Sequence, residues 1–188
     1  MACAPSSPKK RPLALRFFRS DRGATAVEFA IVAAPFMALL LGIVDLALAY
    51  TASIALDNAT QNAARQIRTG QLIAPAGATA QETSRQAFRD QICAGMGFMS
   101  SDCASKLTVD VRTVTDFSSI ALNSPIQNGA FNPGALEFQT GGASQIVLVR
   151  AYYQWTLFAP LMNTALVKLP GATLLTSVTT FRNEPYDL

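Results

Sequence analysis

Between Arg22 and Glu28 the stretch RGATAVE sets a base, a glycine and a carboxylate at the mouth of a long apolar run. A carboxylate in the first turn of a helix meets the positive end of the backbone dipole, which favours it by about 0.3–1 kcal/mol. The same charge carried into lipid without a partner is costly, so a fixed partner for Glu28 would act as an orientation signal. Elsewhere the residue types that perform chemistry are sparse. The chain has no histidine, and His-ligated zinc sites, Ser-His-Asp triads and Cys-His dyads all need imidazole as ligand or proton carrier. Serine and threonine are plentiful, but no serine stands in a glycine-flanked elbow. Neither a catalytic residue, a metal site nor a cofactor is expected.

The elements that position Glu28 begin with a charged leader. Lys9, Lys10, Arg11, Arg16, Arg19 and Arg22 precede Gly23 against the single acid Asp21. The leader therefore carries +5, and the formal +3 of the whole chain leaves −2 for the rest. A short basic tail beside an apolar run is a topology signal, and no nucleic-acid partner is expected. Ala30 to Val44 contains no charge, and with flanks to Leu56 the run exceeds the roughly 20 residues that cross a bilayer. Pro35 is tolerable there, near a helix start or as a kink in lipid. With the basic residues on its amino side, the positive-inside rule leaves the N-terminus in the cytoplasm and exports the bulk of the chain.

The spacing predicts that the helix outlasts the membrane. Ala52, Ala55, Ala59, Ala63 and Ile67 recur at intervals of three and four, and Gly70 is a plausible stop. One helix over 24–69 would have a lipid-compatible first half and an amphipathic second half. A loose linker, LIAPAGATA, precedes a short helix from about Ala80 to Ala94, for which Thr79-x-x-Glu82 reads as a capping box. Three strand patterns follow: Leu107 to Phe117, the more continuously apolar Gln145 to Phe158, suited to a central position, and the Thr-rich Thr173 to Tyr186. In the first, Leu107, Val109 and Val111 alternate with Thr108, Asp110 and Arg112. The Asn-, Pro- and Gly-dense segment between the first two strands reads as a long loop. The expected organisation is a basic leader, 1–23, a transmembrane and amphipathic helix, 24–69, and an exported α+β domain of antiparallel character, 70–188. Tyr152, Tyr153 and Trp155 are candidate interface anchors, although aromatic residues on a strand more often serve core or cross-strand packing.

Cys3 lies in the leader, while Cys93 and Cys103 fall in the exported part. These two allow one intramolecular pairing, and an oxidising compartment would permit it. Such a bridge closes a short loop and would stabilise by about 2–3 kcal/mol in the chain-entropy model. The alternative is two unpaired thiols.

A basic leader ending in glycine, an apolar run, and a glutamate at the fifth position after that glycine together resemble a prepilin signal. The resemblance implies cleavage between Gly23 and Ala24 by a prepilin peptidase on the cytoplasmic face. Glycine lacks a Cβ, which lets the backbone extend close to catalytic groups. It further implies that Glu28, followed by Phe29, neutralises the N-terminal amine of a neighbouring subunit during assembly. GATAVEFAIVAAPFMALLLGIVD resembles the N-terminus of TadE-like proteins, minor pilins (pseudopilins) of the tight-adherence, or Flp, type IV pilus system. NAARQIRTGQ, the Cys93/Cys103 pair, VRAYYQW and the closing FRNEPY are similar to that family in the same order.

The resemblance implies a non-enzymatic single-pass protein of the bacterial inner membrane, with a cytoplasmic N-terminus and a periplasmic domain. Its implied partners are the prepilin peptidase, other pilins, the Tad inner-membrane assembly proteins and the lipid bilayer. Two other readings stay open: a periplasmic binding or adhesion protein on an uncleaved signal anchor, and a secreted one. For the latter, Ala47-Leu48-Ala49 has the small-x-small pattern of an ordinary signal cut before Tyr50.

Overall fold

The computed structural model describes residues 21–74, 77–119, 125–127, 130–157 and 172–186. The leader before Asp21 and the expected continuation of the second strand to Phe158 lie outside them. The chain is α+β: a long apolar amino-terminal helix, then a small antiparallel sheet with helices. It divides into two compact units, Met1–Leu41 and Gly42–Leu188.

Helix α1 is continuous over Asp21–Arg68, with Pro35 inside it. In its carboxyl half Ala52, Leu56, Ala59, Ala63 and Ile67 are buried at intervals of three and four; this is the stripe read from the sequence except that Leu56 takes the place of Ala55, which is only half-buried. The helix stops where glycine permits. Gly70 takes φ +72, its N–H donates to the Ile67 carbonyl, and the Gln71 N–H donates to the Gln66 carbonyl at 2.9 Å. That pair of bonds satisfies carbonyls the helix end would otherwise leave bare. A Cβ on Gly70 would stand 2.8 Å from the Tyr186 ring, so space as well as φ demands glycine there.

Helix α2 covers Ala78–Gly95, and a 3-10 turn, Gly97–Met99, leads into helix α3, Ser100–Lys106. The expected capping box does not form. Gly77, at φ 119, occupies the N-cap with no side-chain bond, and Thr79 lies inside the helix. Glu82 instead pairs with Arg85 at 2.8 Å, one turn on.

Strands β1 (Leu107–Val114), β4 (Ile146–Trp155) and β5 (Thr173–Arg182) form one antiparallel sheet in the order β1-β4-β5. The apolar β4 pattern takes the centre, as read from the sequence. Register pairs Asp110 with Arg150 and Val111 with Val149, then Arg150 with Val178 and Val149 with Thr179. One sheet face, bearing Val109, Val111, Val147, Val149 and Ala151, shares a core with the α1 stripe and with Phe88 and Ile92 of α2. Burying each large apolar side chain there stabilises the domain by about 1.5–3 kcal/mol.

The segment between β1 and β4 is less loop-like than its composition suggests. Its described residues include a small ladder of β2 (Ile126–Gln127) with β3 (Ala130–Phe131) and two 3-10 turns. Phe138 bridges Val111, the Val111 N–H donates to the Glu137 carbonyl at 2.9 Å, and the Gln139 N–H donates to the Val111 carbonyl at 2.8 Å. Residues 137–139 thus cover the outer edge of β1.

Candidate functional site

The Gly23–Ala24 bond lies in the first turn of α1, since the helix begins at Asp21. This differs from the extended backbone the residue type allows: the apolar run behind Gly23 propagates helix through it. Glu28 follows one turn later, exposed. Among the described residues no ion pair or hydrogen bond reaches its carboxylate. Phe29 beside it is 75% exposed. Val27, Ile31, Val32, Phe36 and Leu39 are exposed too, on every side of the helix. A helix apolar all round suits a surrounding of hydrocarbon. Thr25–Arg68 is long and apolar enough to cross a membrane.

Asp45 shows what the sequence concealed in this helix. It reads as one of the acids that follow the apolar run, yet it is only 3% exposed, on the stripe that continues through Ala49 to Ala52. The signal available was its spacing of seven from Ala52, which places both residues on one face.

A second charged group was misjudged by strand alternation. Asp110 belongs to the face expected to be solvated with Thr108 and Arg112, but it is fully buried. Its carboxylate accepts from the Arg150 Nε at 2.8 Å, the Arg112 Nε at 3.0 Å and the Glu137 N–H at 2.8 Å. Burial works to lower the Arg112 pKa, but its hydrogen bond and attraction to Asp110 outweigh this and raise it further. Arg150 also lies 5.9 Å from the Tyr152 ring centroid. Burial pushes the Tyr152 and Tyr153 phenols above their ordinary values, as neither phenolate would be well solvated. The lone arginine in the apolar run VLVRAYY was the available clue, because a buried cation requires a partner.

The three aromatic residues considered as interface anchors are buried: Tyr152, Tyr153 and Trp155 pack within the domain. A central strand covered on both faces has that consequence. Tyr152 meets Phe131 nearly edge-on at 5.9 Å between centroids. Cys93 of α2 and Cys103 of α3 are joined by a disulfide, with Cα atoms 5.5 Å apart. Among the described residues no group of three His, Cys, Asp or Glu side chains converges as a metal site would need.

Residues 23–65 match the family model described as TadE-like protein. No curated protein and no solved structure matches the chain. The family match lies wholly within α1, from Gly23 to Arg65, and takes in both Glu28 and the apolar run. It supports a Tad pilus-associated protein, and the TadE-like family is not an enzyme family.

Proposed function

We propose that this TadE-like chain is a minor pilin, or pseudopilin, that is processed after Gly23 and supports assembly of an adhesive Tad pilus. The observation that carries the reading is Glu28: an exposed carboxylate, unpartnered among the described residues, within an apolar helix surface and within the family match. A charge so placed is tolerated in lipid when a cation joins it. The amine released at Ala24 of a neighbouring subunit is such a cation.

In this reading α1 enters the bilayer from the cytoplasmic face of the inner membrane, held by the basic leader, and the α+β domain stands in the periplasm. A prepilin peptidase unwinds the first turn and cuts between Gly23 and Ala24. Gly23 assists because glycine is about 1 kcal/mol less favourable than alanine in a helix and leaves the scissile backbone uncrowded. Pairing of Glu28 with the new amine then sets the register of one helix against the next, and other pilins and the Tad inner-membrane proteins complete the assembly.

The test is Glu28→Ala beside Glu28→Asp in cells that assemble the pilus. Glu28→Ala is expected to be processed and membrane-retained but to leave the surface without pili, and Glu28→Asp to restore part of the assembly. Normal piliation in Glu28→Ala removes the proposed role.

A further inference from the structure

The two long edges of the main sheet are treated differently. The β1 edge is covered by residues 137–139. The β5 edge is not so covered among the described residues. Antiparallel pairing directs alternate residues of a strand toward its neighbour and the rest away. The Asn183 N–H donates to the Gln145 carbonyl, so the odd-numbered residues of β5 face β4. Leu174, Thr176, Val178, Thr180 and Arg182 therefore turn their main-chain N–H and C=O groups outward. The next residue in that outward series shows the edge in use: the Glu184 N–H donates to the Arg68 carbonyl at 2.9 Å.

Natural edge strands are ordinarily guarded by lysine, proline, a bulge or shortness. The sequence TLLTSVTTF, Thr173 to Phe181, contains no charge and no proline, and β5 runs ten residues to Arg182. Val178 is 42% exposed in the middle of it. Beside this edge, on the helix-covered side, lies a cavity of about 340 Å³ lined by Gln61, Asn62, Arg65, Arg68, Thr179 and Phe181. A strand laid along β5 would direct alternate side chains into that cavity. Arg68 is engaged by Glu184 at 3.2 Å. Asp57, two turns back from Arg65, is held by Gln61 and by Ser177. The Arg65 guanidinium has no ion-pair partner among the described residues, so the unmatched charge facing the cavity is positive.

We propose that the open edge of β5 is a strand-addition site for an extended segment of a partner protein, with an acidic side chain entering the cavity beside Arg65. The main-chain ladder supplies affinity and the cavity supplies selection. A second copy using the same edge is disfavoured by charge. Its own strand, TLLTSVTTFR, has no acidic side chain to set beside Arg65. The edge and its cavity are independent of the membrane reading above.

The experiment uses the full chain in phospholipid nanodiscs and a capped nine-residue peptide of alternating threonine and valine with one central aspartate. Binding is followed by fluorescence anisotropy, and amide exchange is read residue by residue. The aspartate peptide is expected to bind and to slow exchange at Thr176, Val178 and Thr180. The same peptide with lysine at the centre is expected to bind about tenfold more weakly, and Arg65→Glu to reverse that order. Val178→Pro removes an outward N–H that β4 does not use, so it is expected to abolish binding with a cooperative melt retained. A peptide N-methylated at alternate amides makes the same test without altering the protein. Absence of binding at roughly millimolar peptide, equal affinity for the two peptides, or undiminished binding of the N-methylated peptide would overturn the proposal. Concentration-dependent protection of the same amides without peptide would assign the edge to a second copy and overturn the partner proposed. Loss of this binding leaves processing and Glu28 untouched, so the two proposals fail separately.

Discussion

The two halves of α1 use one backbone geometry for opposite ends. From Val27 to Tyr50 large apolar side chains stand exposed, while Ala52, Leu56, Ala59, Ala63 and Ile67 lie buried in a mixed helix–sheet core. The exposed half is richer in bulky residues, and the buried half relies on alanine. Bulk without a partner among the described residues calls for an external one, lipid or another helix, whereas alanine lets a neighbouring element come near. Gly95 of α2 illustrates that closeness: a Cβ there would stand 3.0 Å from the Ala59 Cβ. Apolar content alone therefore does not locate a protein core; residue size and the partner within reach decide it.

Substitution at matched positions should break this contrast if it is wrong. Leu56→Ala removes a fully buried side chain and is expected to destabilise the domain by about 2–5 kcal/mol. Leu39→Ala, in the exposed half, is expected to stay within about 0.5 kcal/mol in detergent. Equal shifts in the two chemical denaturation curves would contradict the division. Leu39→Arg probes the other side: a charge at mid-span costs about 2.5–3.5 kcal/mol on insertion scales. The variant is expected to lose retention in carbonate-washed membranes while its domain melts as before. Full retention would show that this stretch is not the anchor.

Cys93→Ser tests how far the buried half depends on its cross-link. Loss of the α2–α3 bridge is expected to cost about 2–3 kcal/mol and to abolish the mobility difference between reduced and non-reduced gels. Absence of that difference in the unsubstituted chain would mean the bridge does not form in the cell. Within the core, a smaller effect is expected at Gly95→Ala, where the new methyl group crowds Ala59. The cost should be about 1 kcal/mol, and pairing it with Ala59→Gly should recover most of it. A gain in stability on Gly95→Ala alone would show that the contact has slack.

What could be read from residues alone follows from the range of the interactions involved. Helix α1, its stop at Gly70 and the three principal strands were legible, because periodicity and glycine conformation act within a few positions, although the first and third strands end at Val114 and Arg182, short of Phe117 and Tyr186. The capping box failed because the helix begins earlier than its pattern implies, with Gly77 as N-cap, which puts Thr79 inside it and leaves Glu82 to pair with Arg85. Asp110 was misplaced because alternation assigns a face without knowing that Arg150 waits on the next strand. Phe138 and its bridge to Val111 were missed for the same reason: the partner is remote in sequence. At the amino end, the Gly23-to-Glu28 spacing was visible at once, but the partner proposed for Glu28 belongs to another chain. The disulfide positions were visible too, whereas the open β5 edge required the register of the assembled sheet.

The most direct test of the pilin reading is intact-mass and N-terminal analysis of the chain purified from membranes that contain the pilus apparatus. The expected mature form begins at Ala24, with Glu28 fifth in the processed chain. A form that keeps Met1, or one that begins at Tyr50, would contradict it.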